Sequence, residues 1–176
     1  MTAADQAAAA IGSRVSDDEF FWQPDGGRRW SIALCFEHLA VANRLYGDAM
    51  RVAVDRARAA GSVRRGPAVP GFFGRKFAES LEPPVIRRTR APGKIKPKPV
   101  SSRGDVMRRY HEAHDDIRRL IADAASIDVN RAIFQNPFIG LVRMKVSSGL
   151  HVIAAHDRRH LWQAEQVEKA LRGRGR

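Results

Sequence analysis

The sequence predicts an all-α protein with a single domain that spans residues 1–176, and three observations support this fold class. Four segments carry apolar residues at the alternating spacing of three and four that is typical of helices packed in a bundle. Seven of the nine prolines lie between the second and the third of these segments. A length of 176 residues is sufficient for one hydrophobic core and short for two.

The four predicted helices follow one another along the chain. The first runs from about Ala3 to Phe21, and the second runs from the N-cap residue Ser31 to near Gly61. The third spans about Arg103 to Ala125, and the fourth spans about Lys145 to Leu171. The residues predicted to face the interior are Ala8, Ile11 and Val15 on the first helix and Ile32, Cys35, Phe36, Leu39, Ala42, Tyr46, Ala49 and Ala53 on the second. On the third helix they are Val106, Tyr110, Ala113, Ile117, Leu120 and Ala124, and on the fourth they are Leu150, Ile153, Asp157, Leu161, Ala164 and Val167.

The proline-rich stretch from Gly61 to Ser102 is predicted to be a long connection between the second and third helices. We expect no long regular element there, and we expect Phe72, Phe73 and Phe77 to pack part of the connection onto the bundle. A second, short connection, Asn136 to Leu141, is predicted to be a turn that leads into the last helix.

Most of the positive charge is local to the long connection. Residues 64–103 contain 11 lysines and arginines but only Glu79 and Glu82, and they carry +9 of the formal charge of +12. This segment is interpreted as a solvated loop, a nucleic-acid-binding patch or a rim that attracts an anionic substrate. Nucleic acid is disfavoured because no known DNA- or RNA-binding motif is present and the nearby aromatic residues lie on one side of the charge run.

Composition also limits the compartment and the kind of metal site. No apolar run approaches the roughly 18 residues that cross a bilayer, so we expect no membrane association. The alanine-rich start of the chain contains Asp5 and no early positive charge, which is unlike a secretory signal, so a cytoplasmic location is expected. Cys35 is the single cysteine, which excludes an internal disulfide and a cysteine-rich zinc site. A metal ion would need nitrogen and oxygen ligands.

Two histidines of the predicted fourth helix are candidate metal ligands. His156 and His160 are four residues apart, so they share a helix face with Cβ atoms about 5–6 Å apart. They are not a zinc-protease motif, because Asp157 stands where that motif has glutamate. The pair flanks the apolar inner face, where an imidazole without a partner costs roughly 1–3 kcal/mol. The two side chains therefore require hydrogen bonds or a metal ion.

His38 is the third candidate ligand. It lies among the apolar residues of the predicted second helix, and a lone histidine there is more often a core residue than a ligand. With His156 and His160 it completes a set of three nitrogens that leaves coordination positions open for water or substrate. We predict one divalent ion bound by these three histidines. Its affinity is expected to weaken as the pH falls through about 6.5, the usual histidine pKa.

Several other polar residues are weaker candidates. His111 and His114 are predicted to lie on a solvated face of the third helix, since His111 shares the polar side with Arg118. His151 either supports the site or is an ordinary helix residue.

Three residues close to the predicted ligands in sequence also have two interpretations. Glu37 and Asp157 each adjoin a ligand, which turns them about 100° away on the helix, so they either support the site or pair with arginines. The thiol of Cys35, one turn before His38, either approaches the ion or is a small core group.

Two stretches more than a hundred residues apart carry a family pattern. In the first, Trp30-Ser31-Ile32 precedes Glu37-His38-Leu39-Ala40; the second is His-Val-Ile-Ala-Ala-His-Asp-Arg-Arg-His-Leu-Trp-Gln at residues 151–163. Together they resemble the DinB / YfiT superfamily of metal-binding four-helix bundles, with all three expected ligand positions occupied. The resemblance spans most of the chain. It implies an antiparallel four-helix bundle that is frequently dimeric, has a long connection after the second helix and binds zinc, nickel or a similar ion.

The resemblance also implies a range of activities, because the family includes thiol-dependent transferases and isomerases and some hydrolases. Our main hypothesis is a metal-dependent transferase or hydrolase that acts on a small molecule. In this enzyme, the ion at His38, His156 and His160 activates water or a low-molecular-weight thiol. The alternative is a non-catalytic, metal-binding stress-response bundle that contacts a protein or nucleic acid through its basic segment. We also predict a homodimer that buries part of the apolar face of the second helix.

Overall fold

The computed structural model describes residues 3–85 and 90–173, and these residues are mostly helical. A short 3₁₀ turn, Gly93–Ile95, and two antiparallel strands, β1 (Ile133–Gln135) and β2 (Arg143–Lys145), accompany the helices. The α-helices of the described residues are α1 (Ala3–Ser13), α2 (Asp17–Phe21), α3 (Pro24–Gly27), α4 (Ile32–Ala59), α5 (Phe72–Leu81), α6 (Arg103–Asp123) and α7 (Val146–Gly173).

Three of the predicted helices are confirmed as α4, α6 and α7. Helix α4 begins where expected, because the Ser31 hydroxyl accepts a hydrogen bond of 3.1 Å from the backbone N–H of Leu34. It ends at Ala59, just before Gly61, which adopts a φ of 69° that a residue with a Cβ rarely takes. The predicted inner faces are buried, apart from Ala49 and Leu150, which are half-buried.

Helices α4, α6 and α7 form the centre of the packing. α4 contacts both α6 and α7, and α1 packs on α7. At Gly149 the two helices that carry the candidate histidines approach closely: a Cβ built there would lie 2.6 Å from Sδ of Met50 on α4. This close contact holds the histidine of α4 near the histidines of α7.

The first predicted helix is wrong in its extent, because the chain breaks into α1 and α2 at residues 14–16. Ser16 starts α2 with a capping box: its hydroxyl accepts from the N–H of Glu19 at 3.3 Å, and the Glu19 carboxylate accepts from the N–H of Ser16 at 2.7 Å. The apolar residues predicted for the inner face of this segment, Ala8, Ile11 and Val15, are buried as expected.

The prediction that the long connection has no long regular element is also wrong, because it contains the ten-residue helix α5. Its contact face consists of small residues: Gly74 and Ala78 are buried, and a Cβ at Gly74 would lie 2.4 Å from the side chain of Ser148 on α7. The connection does pack onto the bundle as predicted, because α5 contacts α7, but the phenylalanines do not provide the contact: Phe72, Phe73 and Phe77 are 61%, 85% and 40% exposed. Residues 86–89 of this basic connection lie outside the described residues.

The turn predicted at residues 136–141 is present, and it closes a hairpin between β1 and β2 that the sequence did not predict. The side-chain oxygen of Asn136 accepts hydrogen bonds from the N–H groups of Phe138 and Ile139, at 2.8 and 3.0 Å. The Asn136 amide donates to the Tyr46 hydroxyl at 2.8 Å. The bond to Tyr46 attaches the hairpin to α4.

The apolar face of α4 lies inside the chain, where it packs against α6 and α7. It does not provide the dimer surface for which it was predicted, and a homodimer would have to use other residues. None of the helices in the two described ranges combines the length and the apolarity of a membrane-spanning segment.

Candidate metal centre

The three histidines predicted as ligands come together in the structure. His38 lies on α4 and the other two lie on α7, and one ring nitrogen of each is within 4.8 Å of those of the other two. Nε2 of His38 and Nε2 of His156 are 3.1 Å apart. For comparison, two nitrogens bound to one tetrahedral zinc at about 2.05 Å are separated by about 3.3 Å. We refer to His38, His156 and His160 as the histidine cluster.

Two hydrogen bonds orient the rings of this cluster. Nδ1 of His38 lies 2.6 Å from the carbonyl oxygen of Ile95, in the 3₁₀ turn of the long connection. Nδ1 of His160 lies 3.0 Å from the side-chain oxygen of Gln163, one turn further along α7. Because an oxygen of this kind only accepts, each Nδ1 carries the hydrogen and each Nε2 keeps its lone pair. Ile95 and Gln163 are supporting residues that sequence reasoning did not identify.

Burial keeps these imidazoles neutral. It lowers the pKa of His38 to about 4 and that of His156 to about 3, and it lowers the pKa of His160 well below its usual value. The positive charge of Arg159 lowers all three pKa values further. Protons are therefore expected to compete with a metal ion for these nitrogens at a lower pH than the 6.5 expected from the sequence.

Trp30 forms part of the wall around the histidine cluster. Its ring centre lies 4.8 Å from that of His38 and 5.7 Å from that of His160. The indole covers the two imidazoles on one side, which limits the access of water to them. The sequence pattern contained this tryptophan but did not indicate its contact with the ligands.

The histidine cluster opens onto a cavity of about 550 Å³, within the usual size range of small-molecule sites. The wall is mainly apolar, and the long connection supplies part of it through residues that include Phe77, Leu81 and Pro92. Its charged residues, among those the structure describes, are Arg28, Arg29, Arg90 and Arg159; no aspartate or glutamate of the described ranges lines it. The cavity is therefore positively charged.

These features fit a divalent metal ion. Three imidazole nitrogens converge, hydrogen bonds set the tautomers of His38 and His160, and a cavity adjoins the cluster. The 3.1 Å separation of the two Nε2 atoms suits a hydrogen bond from His156 to His38 in the metal-free chain, and it equally suits two nitrogens that bind one ion.

The residues close to the ligands in sequence have other partners. Glu37 accepts a hydrogen bond of 2.9 Å from Arg109 of α6, so it pairs with an arginine. Cys35 is 1% exposed in the apolar core, and burial raises its thiol pKa. Exposed His151 makes a 2.8 Å contact with the carbonyl oxygen of Ser147 within its own helix. None of the three belongs to the group of potential ligands in the described chain.

His114 is not on a solvated face as predicted, although the side chain of His111 is 44% exposed. His114 is 6% exposed and lies between two carboxylates, with Nδ1 3.5 Å from Asp5 and Nε2 3.7 Å from Asp157. Asn43 donates a 3.0 Å hydrogen bond to Asp157. We refer to Asp5, His114, Asp157 and Asn43 as the Asp–His cluster.

The family model of the DinB superfamily matches residues 2–164 of the chain. Because the match covers most of the sequence, the chain belongs to the DinB superfamily. The family predicted from the Trp30, His38 and His156–Gln163 patterns is thereby confirmed. No curated protein and no solved structure shows significant similarity to the chain.

Proposed function

We propose that this DinB-superfamily protein is a metal-dependent enzyme that acts on a small molecule, with His38, His156 and His160 as the ligands of one divalent ion. One observation carries the proposal: the Nε2 atoms of the histidine cluster converge at the wall of a cavity of about 550 Å³. A purely structural metal site is normally closed by four protein ligands, whereas a catalytic site keeps a position for substrate.

The donor set favours zinc or nickel. Imidazole nitrogens suit zinc, copper, iron and nickel, while magnesium and calcium prefer carboxylate and carbonyl oxygens. No carboxylate of the described residues belongs to the group, so the ligands themselves carry no negative charge.

The activity that we propose is a transferase or hydrolase reaction. A bound ion would supply Lewis-acid chemistry, lowering the pKa of a water or a low-molecular-weight thiol in contact with it. The residues of the chain have separate tasks: Ile95 and Gln163 hold the imidazoles in the ligand tautomer, and Trp30 shields them. The cavity walls position the substrate.

The wider predictions are consistent with this role. The basic connection serves as a rim that concentrates anionic molecules near the cavity, so the reaction rate is expected to fall with added salt. We also propose that α1, α4, α6 and α7 form an antiparallel four-helix bundle. The protein is proposed to be cytoplasmic and to form a homodimer. Sedimentation over a range of protein concentrations tests the homodimer.

The experiment that tests the proposal begins with protein purified without chelator and without a nickel column. Elemental analysis is expected to find about one zinc or nickel per chain. The metal-loaded protein, incubated with low-molecular-weight thiols and electrophiles and with esters and amides, is expected to accelerate thiol transfer or hydrolysis. His38→Ala removes a ligand and should abolish both metal and activity, whereas His111→Ala, on an exposed part of α6, should retain both.

Wild-type protein that holds a full complement of metal but turns over none of the substrates in the screen would contradict the proposed enzymatic activity. If such protein also bound nucleic acid in a salt-sensitive manner, the non-catalytic alternative would replace it. Protein that bound no divalent ion at all would contradict the metal site itself.

A further inference from the structure

A second, mainly apolar cavity lies between α5 and the β1–β2 hairpin. It has a volume of about 450 Å³, and its walls include Phe72, Phe73 and Val142. The charged residues of its described lining are Arg143 and Lys145. We refer to this cavity as the hairpin groove.

The hairpin groove and the cavity at the histidine cluster meet at a common wall. Phe77 of α5, together with Asn136 and Ile139 of the hairpin, lines both spaces. Asn136 is buried and is held by its hydrogen bonds, whereas Phe77 and Ile139 are exposed. Because exposed side chains change rotamer within nanoseconds, these two residues can move aside without any change in the core.

The apolar side chains around the hairpin groove are exposed because α5 does not use them for packing. Its buried residues, on the side that meets α7, are Gly74 and Ala78, which leaves Phe72 and Phe73 in contact with solvent. Contiguous exposed apolar side chains of this kind mark binding surfaces. The groove therefore favours an apolar ligand.

One elongated molecule would occupy both spaces. The walls of the cavity at the histidine cluster are also mainly apolar and include Phe138 and Ile153. A straight hydrocarbon chain is narrow and flexible, so it can extend from one space into the other, and it gains affinity with each methylene that it buries. A second copy of the protein is disfavoured as the occupant, because a two-fold axis at the groove would bring Arg143 and Lys145 close to their own counterparts.

We propose that the substrate carries a long, straight alkyl or acyl chain, which runs from the cavity at the histidine cluster past Phe77 and Ile139 into the hairpin groove. This inference rests on the proposed function, which it narrows to a class of substrate. The reactive end of the molecule lies at the histidine cluster, and the length of the chain determines how much of the groove is filled.

The test measures how binding depends on chain length. The probes are the straight-chain carboxylates hexanoate, octanoate, decanoate, dodecanoate and tetradecanoate, each below the concentration at which it forms micelles. Binding to metal-free protein is measured by calorimetry at constant ionic strength, so that the carboxylate cannot bind an ion and the constant head group leaves the chain as the variable. The affinity of wild-type protein is expected to rise about three- to fourfold with each added methylene, up to at least dodecanoate.

Gly71→Leu fills the hairpin groove. A Cβ at Gly71 would lie 3.7 Å from Cδ of Lys145, which is an ordinary contact, and the φ of −65° at Gly71 is one that leucine adopts readily. Gly71 lines the groove but not the cavity at the histidine cluster. Gly71→Leu should therefore bind hexanoate as wild-type protein does, but its affinity should stop rising at a shorter chain. The control Gly66→Leu makes the same change in the same connection, outside the described linings of both spaces, and should behave like wild-type protein.

Phe73→Ser provides a second variant, because Phe73 is an exposed part of the groove wall. It should weaken the binding of dodecanoate more than that of hexanoate. Equal binding of hexanoate and dodecanoate by wild-type protein would overturn the proposal whether or not the variants fold. An unchanged dependence on chain length in folded Gly71→Leu and Phe73→Ser would also overturn it. If Gly71→Leu dissociated a homodimer and left chain binding unchanged, the groove would be an interface between two copies instead.

Zinc titration of the same proteins separates this inference from the proposed function. Gly71→Leu should bind zinc as well as wild-type protein does, because Gly71 is not part of the histidine cluster. If wild-type protein bound no zinc but lost its long-chain affinity on Gly71→Leu substitution, the metal-dependent function would fail and the chain-binding site would stand. If zinc bound and affinity did not depend on chain length, the chain-binding site would fail and the metal centre would stand.

Discussion

The histidine cluster and the Asp–His cluster each contain buried histidine side chains, but in different electrostatic environments. In the Asp–His cluster, His114 lies within 3.5 and 3.7 Å of the carboxylates of Asp5 and Asp157, so negative charge is already supplied by the chain. In the histidine cluster, three imidazoles face one another, with a guanidinium nearby and no carboxylate in the group. Both clusters include residues of α7, and Asp157 directly follows His156.

Burial alone therefore does not identify a histidine that is suited to bind a metal ion. His38 and His114 are 1% and 6% exposed, yet of the two only His38 has a ring nitrogen close to those of other histidines. A buried imidazole between carboxylates is stabilised by its own neighbours, whereas converging neutral imidazoles are stabilised by a cation. The following predictions test whether the two clusters differ in this way.

The largest expected difference is in metal binding. His160→Ala removes one of three ligands, so the affinity for zinc should fall by more than the roughly 10- to 100-fold that changes in supporting residues cause. His114→Ala should leave the affinity nearly unchanged. Zinc titration after dialysis against chelator measures both. Near-stoichiometric zinc in dialysed His160→Ala would show that the histidine cluster is not the metal site.

The stability of the metal-free protein should depend on pH because of the histidine cluster. The pKa values of His38 and His156 are lowered to about 4 and 3, so the unfolded chain takes up protons below pH 6.5 that the folded chain does not. The free energy of unfolding is therefore highest above pH 6.5 and should fall toward pH 4 by up to about 1.4 kcal/mol per pH unit for each histidine.

Urea unfolding at a series of pH values measures this dependence. In His38→Ala the slope between pH 6.5 and pH 4.5 should be shallower, because one buried histidine has been removed. An unchanged slope would mean that the histidines titrate alike in the folded and unfolded chains.

The Asp–His cluster is expected to contribute to the free energy of unfolding rather than to metal binding. His114→Ala removes the imidazole between the carboxylates of Asp5 and Asp157, which keep Arg118 and Asn43 as partners, so the free energy of unfolding should fall by about 1–3 kcal/mol. Urea unfolding of metal-free protein at pH 7 measures the change. His151→Ala is the control, because His151 is exposed and makes its contact within its own helix, and it should change stability by no more than about 0.5 kcal/mol. If the two substitutions changed the free energy of unfolding equally, the Asp–His cluster would not have the stabilising role inferred for it.

The smallest expected effect concerns the hydrogen bond that orients His160. Gln163→Ala removes the acceptor for Nδ1, so zinc affinity should fall by about 10-fold, the lower end of the range for supporting residues. Gln166→Ala serves as the control because Gln166 also lines the cavity. A Gln163→Ala protein with wild-type zinc affinity would show that the orientation of the His160 ring is set by packing alone.

Much of the fold and of the candidate site could be predicted from local patterns. The apolar spacing located α4, α6 and α7, and the four-residue interval put His156 and His160 on one face of α7. Two errors came from signals that an apolar pattern does not contain. The contact face of α5 is made of Gly74 and Ala78, and the break before α2 depends on the capping box of Ser16 and Glu19. That second signal was present in the sequence and was missed.

Local patterns in the sequence were enough to predict α4, α6, α7 and the candidate ligands, because helical periodicity and the projection of side chains repeat over a few residues. The surroundings of those residues depend on tertiary packing. That packing brought Ile95 to His38 across 57 positions and Asp5 to His114 across more than a hundred, and it enclosed a positively charged cavity beneath the long connection. These contacts depend on the packing of helices far apart in the chain, so no local spacing encodes which buried histidine meets a carboxylate and which meets other histidines.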